Sequence, residues 1–193
     1  MSVETLFIET YRGHKFYPGN PSASTFNVAD IAHHLSQINR YHGSAKFPYS
    51  VAQHSALMAE KMYAMTNNAE LALDCLFHDA SEAYLNDVAK PLKMMLPKYQ
   101  EIEERTDKAI RQWLYEHRVF IPLEQTQLCK DADKRMFLTE WPVLKNNDDA
   151  GAWYPNHKPF EGVTIEEWDW KRARQTFYSM AREFANEAAH SVA

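Results

Sequence analysis

Glycine and cysteine are scarce, basic charge is not in excess, and no long apolar run occurs. The chain of 193 residues carries 5 Gly and 2 Cys. So little glycine, beside many Ala, Leu, Met, Glu and Lys, disfavours strands and favours helices. Cys75 and Cys129 both lie in apolar stretches. They are too few for a disulfide framework and read as buried free thiols in a reducing compartment. With 21 Lys and Arg against 26 Asp and Glu, the formal net charge is −5. That excludes the general basic field of a nucleic-acid binder, although a local positive cleft remains open. No apolar stretch approaches the roughly 18 residues of a membrane span. Residues 1–10 lack the basic and apolar regions of a secretory signal. Repeats, low-complexity tracts and linker composition are absent too. The expectation is a cytoplasmic protein of one domain, with neither nucleic-acid nor membrane partners.

What is present is globular: 45% hydrophobic and 24% charged residues, enough for one well-packed core. Asn27 is placed to cap a helix running to about Tyr41, with Val28, Ile31, Leu35 and Ile38 as its buried stripe. Ser50 caps a second, to about Met65, with Val51, His54, Met58, Met62 and Met65 on one face. Asn68 caps a third, predicted to continue through Tyr84, after which Pro91 disrupts regular structure. Pro97 opens a fourth, Lys98 to about His117, whose Glu101–Glu104 run reads as a solvated face. Pro122 opens a fifth, from Leu123 to about Trp141. Thr164-Ile165-Glu166-Glu167 has a capping-box pattern and predicts a last helix to about Ala189. Residues 1–24 read as an irregular arm pinned by Phe7, Ile8, Phe16 and Tyr17, and 145–162 as a long loop.

The chemistry is carried by polar residues in apolar surroundings. Leu71, Cys75, His78 and Glu82 are spaced 4, 3 and 4, one helical stripe with a histidine and an acid in it. Asp79 would lie about 100° round from His78. His54 falls on the apolar face of the second helix. Asp133 shares a face of the fifth with Cys129, Met136 and Glu140. Buried polar groups are costly unless satisfied. Two imidazoles and two carboxylates suit a divalent transition metal with positions left for water.

The doublet His78-Asp79, with His54 upstream and Asp133 downstream, resembles the H…HD…D pattern of the HD-domain phosphohydrolases. The ordered segments around it extend the likeness: Asp30–Ser36, Asn39-Arg40-Tyr41-His42-Gly43, Tyr49–Ser55, His78–Tyr84, Asp87…Lys90-Pro91-Leu92-Lys93 and Asp133…Glu140. Together they are similar to the small 5′-deoxynucleotidase-like branch, which includes nucleoside monophosphate phosphatases and phage dATP triphosphohydrolases. The likeness spans about residues 26–142, leaving an arm at 1–25 and a loop and helix at 143–193.

The resemblance implies an all-α, single-domain HD-type bundle around a central metal. His54, His78, Asp79 and Asp133 would be the ligands of one divalent transition ion (Mn, Co, Zn, Fe or Ni), with an additional Mg beside it. Glu82 would position or deprotonate the attacking water, with Asp87 acting next to it. Arg40 would bind phosphate, and Tyr41 would stack on or border the nucleoside. Apart from the resemblance, Lys90 and Lys93 read either as positive charge at the site mouth or as solvated surface, and His42, beside Arg40, is placed to touch substrate. Monophosphatase members carry Trp where this chain has Tyr41, which changes the pocket. The implied reaction is release of phosphate from deoxynucleoside monophosphates. The alternatives are release of tripolyphosphate from a dNTP such as dATP, or a metal-stabilised nucleotide-binding module without catalysis.

The remaining residues read as structural. His33 and His34 point about 100° apart and cannot easily serve one ion. His14, His117, His157 and His190 read as surface residues. Met58, Met62 and Met65 read as core filler. Trp153 and Tyr154 suggest a contact within a homo-oligomer.

Overall fold

A helix buried on every side lies at the centre of a fold. The computed structural model describes residues 5–147 and 149–191, and in it that helix is α2 (Val51–Thr66). Val51 to Ala59 are all buried, and small residues at 52, 55, 56 and 59 let neighbours approach closely. Ser50 Oγ accepts from the Gln53 N–H at 3.2 Å and fixes the start of α2. Asn67, in the left-handed region at φ 49°, ends it. Asn68 then caps α3 (Ala69–Leu76) by accepting from the Leu71 N–H.

The other helices wrap this pair. α1 (Val28–Gln37) is capped by Asn27, as expected. α9 (Trp170–Ser191) lies against α1, α2 and α3. Its buried residues Ala173, Phe177, Ala181, Phe184 and Ala188 recur at helical spacing. α6 (Pro97–Glu116) and α7 (Gln127–Leu144) are the other long helices, and α4 (Glu82–Leu85), α5 (Lys90–Lys93) and α8 (Ala150–Trp153) are single turns. The strands among the described residues form one hairpin, β1 (Ile8–Glu9) with β2 (Lys15–Phe16). The architecture is all-α, and both cysteines are free and buried.

Local chemistry moves several expected boundaries. The predicted helix from Asn68 to Tyr84 is two helices. After α3 ends at Leu76, Ala80 and Glu82 donate to the carbonyls of Phe77 and Asp79, three residues back, and the chain tightens into a turn. His78 Nδ1 takes the Cys75 carbonyl at 2.8 Å, a side-chain bond that competes with the helix. Pro91 sits in the first turn of α5, where its missing N–H costs nothing. α7 starts later than Leu123 because Thr126 is its cap, and it runs through Pro142 to Leu144. α9 starts at Trp170 because Asp169 caps it through the Arg172 N–H. Thr164–Glu167 forms no capping box; the Glu166 carbonyl accepts from Gln53 and its carboxylate pairs with Arg172. The expected loop 145–162 contains α8.

Other side chains depart from expectation as well. The arm is held by Phe16, fully buried, and by Asp30, which accepts from Thr10, the Arg12 N–H and His14. Phe7 and Ile8 are half exposed, as is Met65. Glu103 is half-buried against Lys93 Nζ at 2.6 Å, so that part of the run 101–104 is not a solvated face. Residues 1–4 of the arm, 148 of the loop and 192–193 lie outside the described residues.

One buried ion pair ties three helices together. Asp74 on α3 accepts from Arg111 Nη1 on α6 (2.8 Å) and from the N–H and Oγ1 of Thr126 (3.0 and 2.7 Å), the cap of α7. Arg111 is 1% exposed and also donates to Asp107. Removing one member of such a pair leaves a buried charge uncompensated, which costs about 3–5 kcal/mol. Arg111→Ala is expected to destabilise the protein by that order in urea unfolding, and Arg111→Met of similar volume by less.

Candidate metal centre

Two helices and a turn deliver the polar residues to one point. His54 comes from buried α2, His78 and Asp79 from the turn after α3, and Asp133 from α7. His54 Nε2 lies 3.3 Å from His78 Nε2 and 3.2 Å from Asp133 Oδ1. His78 Nε2 lies 3.8 Å from the same oxygen. All three ligand atoms fall within 4.8 Å of one another. Asp79 joins through His78, with its Oδ2 2.9 Å from Nε2 and 3.5 Å from Arg40 Nη1.

Hydrogen bonding sets which ring nitrogens face the centre. A carbonyl only accepts, so the His78 Nδ1 beside the Cys75 carbonyl carries the proton. Glu140 Oε1 lies 2.5 Å from His54 Nδ1, so that nitrogen is protonated too. In neutral rings both Nε2 atoms then turn lone pairs towards each other, with carboxylate oxygens beside them. A cation resolves this. Two ligands at about 2.0–2.2 Å from a common ion are about 3.0–3.4 Å apart at octahedral to tetrahedral angles, which matches the 3.3 and 3.2 Å separations. The third separation, 3.8 Å, is wider, and the three residues together could hold a metal ion. In the protein alone His78 holds a proton instead, beside ionised carboxylates: burial pulls its pKa down, but Asp79 and then Asp133 outweigh that and raise it to about 10.

Glu140 supports the ligands from behind, and the sequence reading assigned it no role. It is completely buried. Besides facing His54, it accepts from Tyr49 Oη at 2.9 Å and Tyr41 Oη at 2.6 Å. Burial would raise its pKa, but His54 and Arg40 overcome that and hold it ionised. The available signal was its position, seven residues after Asp133 and on the same face of α7.

The segment after α1 presents Arg40. The helix stops at Gln37, short of the expected Tyr41, because Asn39 pairs with Ser50 in an isolated bridge and the Arg40 N–H bonds the Tyr49 carbonyl. Tyr41 and His42 then take φ 58° and 52°, followed by Gly43 at 70°. Left-handed backbone at two non-glycine residues is strained, about 1–3 kcal/mol each. It persists because Tyr41 is anchored to Glu140 and His42 Nε2 accepts from the Ala89 N–H at 2.9 Å.

These residues line a cleft of about 520 Å³, with Arg40, Tyr41, His42, Asp79, Glu82, Asp87, Lys90, Lys93 and Asp133 all in its walls. Each sequence-predicted substrate or water residue therefore reaches the cleft, and His54 and His78 meet Asp133 at its base. Glu82 is buried, with an oxygen that lacks a hydrogen-bond partner. Burial, then the charges of Asp79 and Asp87, push its carboxyl well above the usual range. The sequence reading missed Phe137, Trp141 and Lys145 as wall residues. Trp153 and Tyr154, expected at an oligomer contact, line the same cleft, with the Tyr154 hydroxyl 3.1 Å from Lys90 Nζ. His33 and His34 are structural as expected: His33 stacks on Tyr11, and His34 bridges Tyr11 to the Ala83 carbonyl.

No protein-family model matches the chain. It is 35% identical over 150 residues to the uncharacterized protein YfdR of Escherichia coli strain K12, covering 72% of this chain and 79% of that protein. It is 34% identical over 97 residues to an uncharacterized protein of Rhodobacter capsulatus, covering 47% of this chain and 49% of that one.

Losing a carboxylate that orients a ligating histidine typically costs 10- to 100-fold in metal affinity. Glu140→Gln is therefore expected to bind Mn or Zn about 10- to 100-fold more weakly in a competition titration against a chelator, with all four candidate ligands intact. Equal affinity in variant and parent would remove Glu140 from the support of the site.

Proposed function

This chain belongs to the family of the Escherichia coli protein YfdR, and we propose that it is a metal-dependent HD-type phosphohydrolase of deoxynucleoside monophosphates. The observation that carries this reading is the convergence of His54, His78 and Asp133 at a cleft that also holds an arginine, a buried glutamate with one oxygen free of hydrogen bonds, and several aromatic rings.

His54, His78, Asp133 and Asp79 would hold the ion. A bound divalent cation supplies Lewis acidity towards water and neutralises phosphoryl charge. Arg40 offers a planar fork for the remaining phosphoryl oxygens, and it already lies between the carboxylates of Asp79 and Glu140. Glu82, with its raised pKa and free oxygen, takes the proton of the attacking water. Water oxygen bonds to phosphorus as the bond to the nucleoside oxygen breaks, and that oxygen leaves with the proton that Glu82 took from the water. Asp87 flanks Glu82 in the cleft wall and keeps its proton affinity high. Tyr41, tied to Glu140, borders the sugar and base, while Trp141, Phe137 and Trp153 offer the larger faces.

The lysines favour a single phosphoryl group over a triphosphate. Lys93 is paired with Glu103, Lys90 with the Tyr154 hydroxyl, and Lys145 with Ser44. Arg40 is the cation beside the ligand group. A triphosphate chain would have to draw the lysines away from these partners.

With Mn or Co supplied, the parent protein is expected to release inorganic phosphate from dAMP or another deoxynucleoside monophosphate. Glu82→Gln is expected to lose about 10²–10⁴-fold in kcat while elemental analysis finds its metal retained. Tripolyphosphate from dATP, with no phosphate from monophosphates, would shift the assignment to a triphosphohydrolase. If the parent turned over no nucleotide with Mn, Co, Mg or Zn, a binding module would be the better reading. Asp133→Ala is expected to lose both metal and activity, and full metal content in it would exclude Asp133 as a ligand.

A further inference from the structure

A second concavity, of about 550 Å³, is formed by the arm and the outer face of α9, and it shares no lining residue with the metal-site cleft. Its charged residues are Arg12, Lys171 and Arg174, and no carboxylate lines it. This is unusual in a chain whose acids outnumber its bases, 26 to 21. None of the three cations has an ion pair among the described residues, whereas neighbouring Arg172 is paired with Glu166. Asp30, the nearest acid on α1, directs its carboxylate to Thr10, His14 and the Arg12 backbone. Unpaired cations gathered at one concavity make a site for an anion.

Aromatic rings complete the groove. Trp170 and Tyr178 line it, each about 40% exposed, and Gln175 between them offers both a donor and an acceptor. Arg174 lies over the Tyr11 ring, 5.2 Å from its centroid, and Tyr11 stacks on His33 at 3.7 Å. The start of α9 is not used, since Asp169 caps it. Cations for phosphate, exposed faces for a base, and a volume in the range of small-molecule sites describe one class of ligand.

We infer that the groove of Arg12, Lys171, Arg174, Trp170 and Tyr178 is a second nucleotide-binding site, separate from the metal centre. The structure links it to that centre. The Tyr11 N–H donates to His34 Nε2 at 3.0 Å, and His34 Nδ1 donates to the Ala83 carbonyl at 2.7 Å. Ala83 directly follows Glu82. The groove and the turn that carries Glu82 are thus joined through the two ring nitrogens of His34.

The test is calorimetric titration of the full chain in EDTA, so that hydrolysis does not intervene, with ATP as probe. Arg40→Ala removes binding in the cleft; Lys145→Glu does so if Arg40→Ala fails to fold. In that background ATP is expected to bind one site, weakened about tenfold or more by Arg174→Glu and by a smaller factor by Arg174→Gln, since one interaction of about 1.4 kcal/mol is a tenfold change. Tripolyphosphate is expected to bind several-fold more weakly than ATP, because it cannot use Trp170 and Tyr178. Unchanged ATP binding in folded Arg174→Glu would overturn the proposal, as would loss of all ATP binding in the cleft variant. Equal affinities for ATP and tripolyphosphate would overturn its nucleotide specificity. A change of oligomeric state in Arg174→Glu without ATP binding to the parent would assign the groove to contact between copies of the chain.

Discussion

Glu140 is a completely buried carboxylate, tolerable only because each group around it donates to it or carries positive charge. His54 on α2, Tyr49 just before α2, and Tyr41 and Arg40 after α1 all converge on its two oxygens. One side chain of α7 thus fixes the ring of a candidate ligand and also anchors the strained turn that presents Arg40. Removing Glu140 would free both, so the candidate metal site and the placement of Arg40 are not independent parts. The same dependence explains why Tyr41 can sit at φ 58°. Its strain is borne by a hydrogen bond to a charged acceptor, which is among the stronger kinds.

The turn between α3 and α4 is the other constraint on the site. A continuous helix would carry His78 and Asp79 about 100° apart and leave Asp79 to one side. Ending the helix at Leu76 lets both approach one point, with His78 Nε2 2.9 Å from Asp79 Oδ2. The bond from His78 to the Cys75 carbonyl both helps end the helix and selects the tautomer that turns Nε2 inward. A single hydrogen bond therefore shapes the backbone and prepares the ligand.

Much of this was legible in the residues. The caps Asn27, Ser50 and Asn68 act where their side chains predict, because N-capping is local chemistry. His54 was placed in the core by helical spacing, and it is there. What the sequence did not disclose is tertiary. Thr126 displaced Pro122 as the start of α7 because Asp74, fifty-two residues earlier, holds its N–H and hydroxyl. Thr164–Glu167 has the pattern of a capping box, but the helix starts at Trp170, where Asp169 serves as the cap. Glu140 looked like one more acid on a helix, since nothing near it in sequence reveals that two tyrosines and a histidine point at it. Trp153 and Tyr154 read as surface aromatics, and only the fold brings α8 against Phe137 on α7.

Charge distribution separates the two concavities more clearly than their shape does. In the metal-site cleft the cations are engaged: Arg40 faces Asp79 and Glu140, Lys93 faces Glu103. That arrangement keeps the cleft near neutrality, so an ion held by His54, His78 and Asp133 would be its main source of unpaired positive charge. Along α9 the arrangement is reversed, because among the described residues Arg12, Lys171 and Arg174 have no carboxylate partner, Lys171 and Arg174 lying over aromatic rings instead, and no metal-ligating cluster lines the groove. Attraction there comes from the side chains alone and persists when divalent ions are removed. Anion binding at the cleft should therefore follow metal content and anion binding at the groove should not, a difference that follows from where this acidic chain has spent its carboxylates.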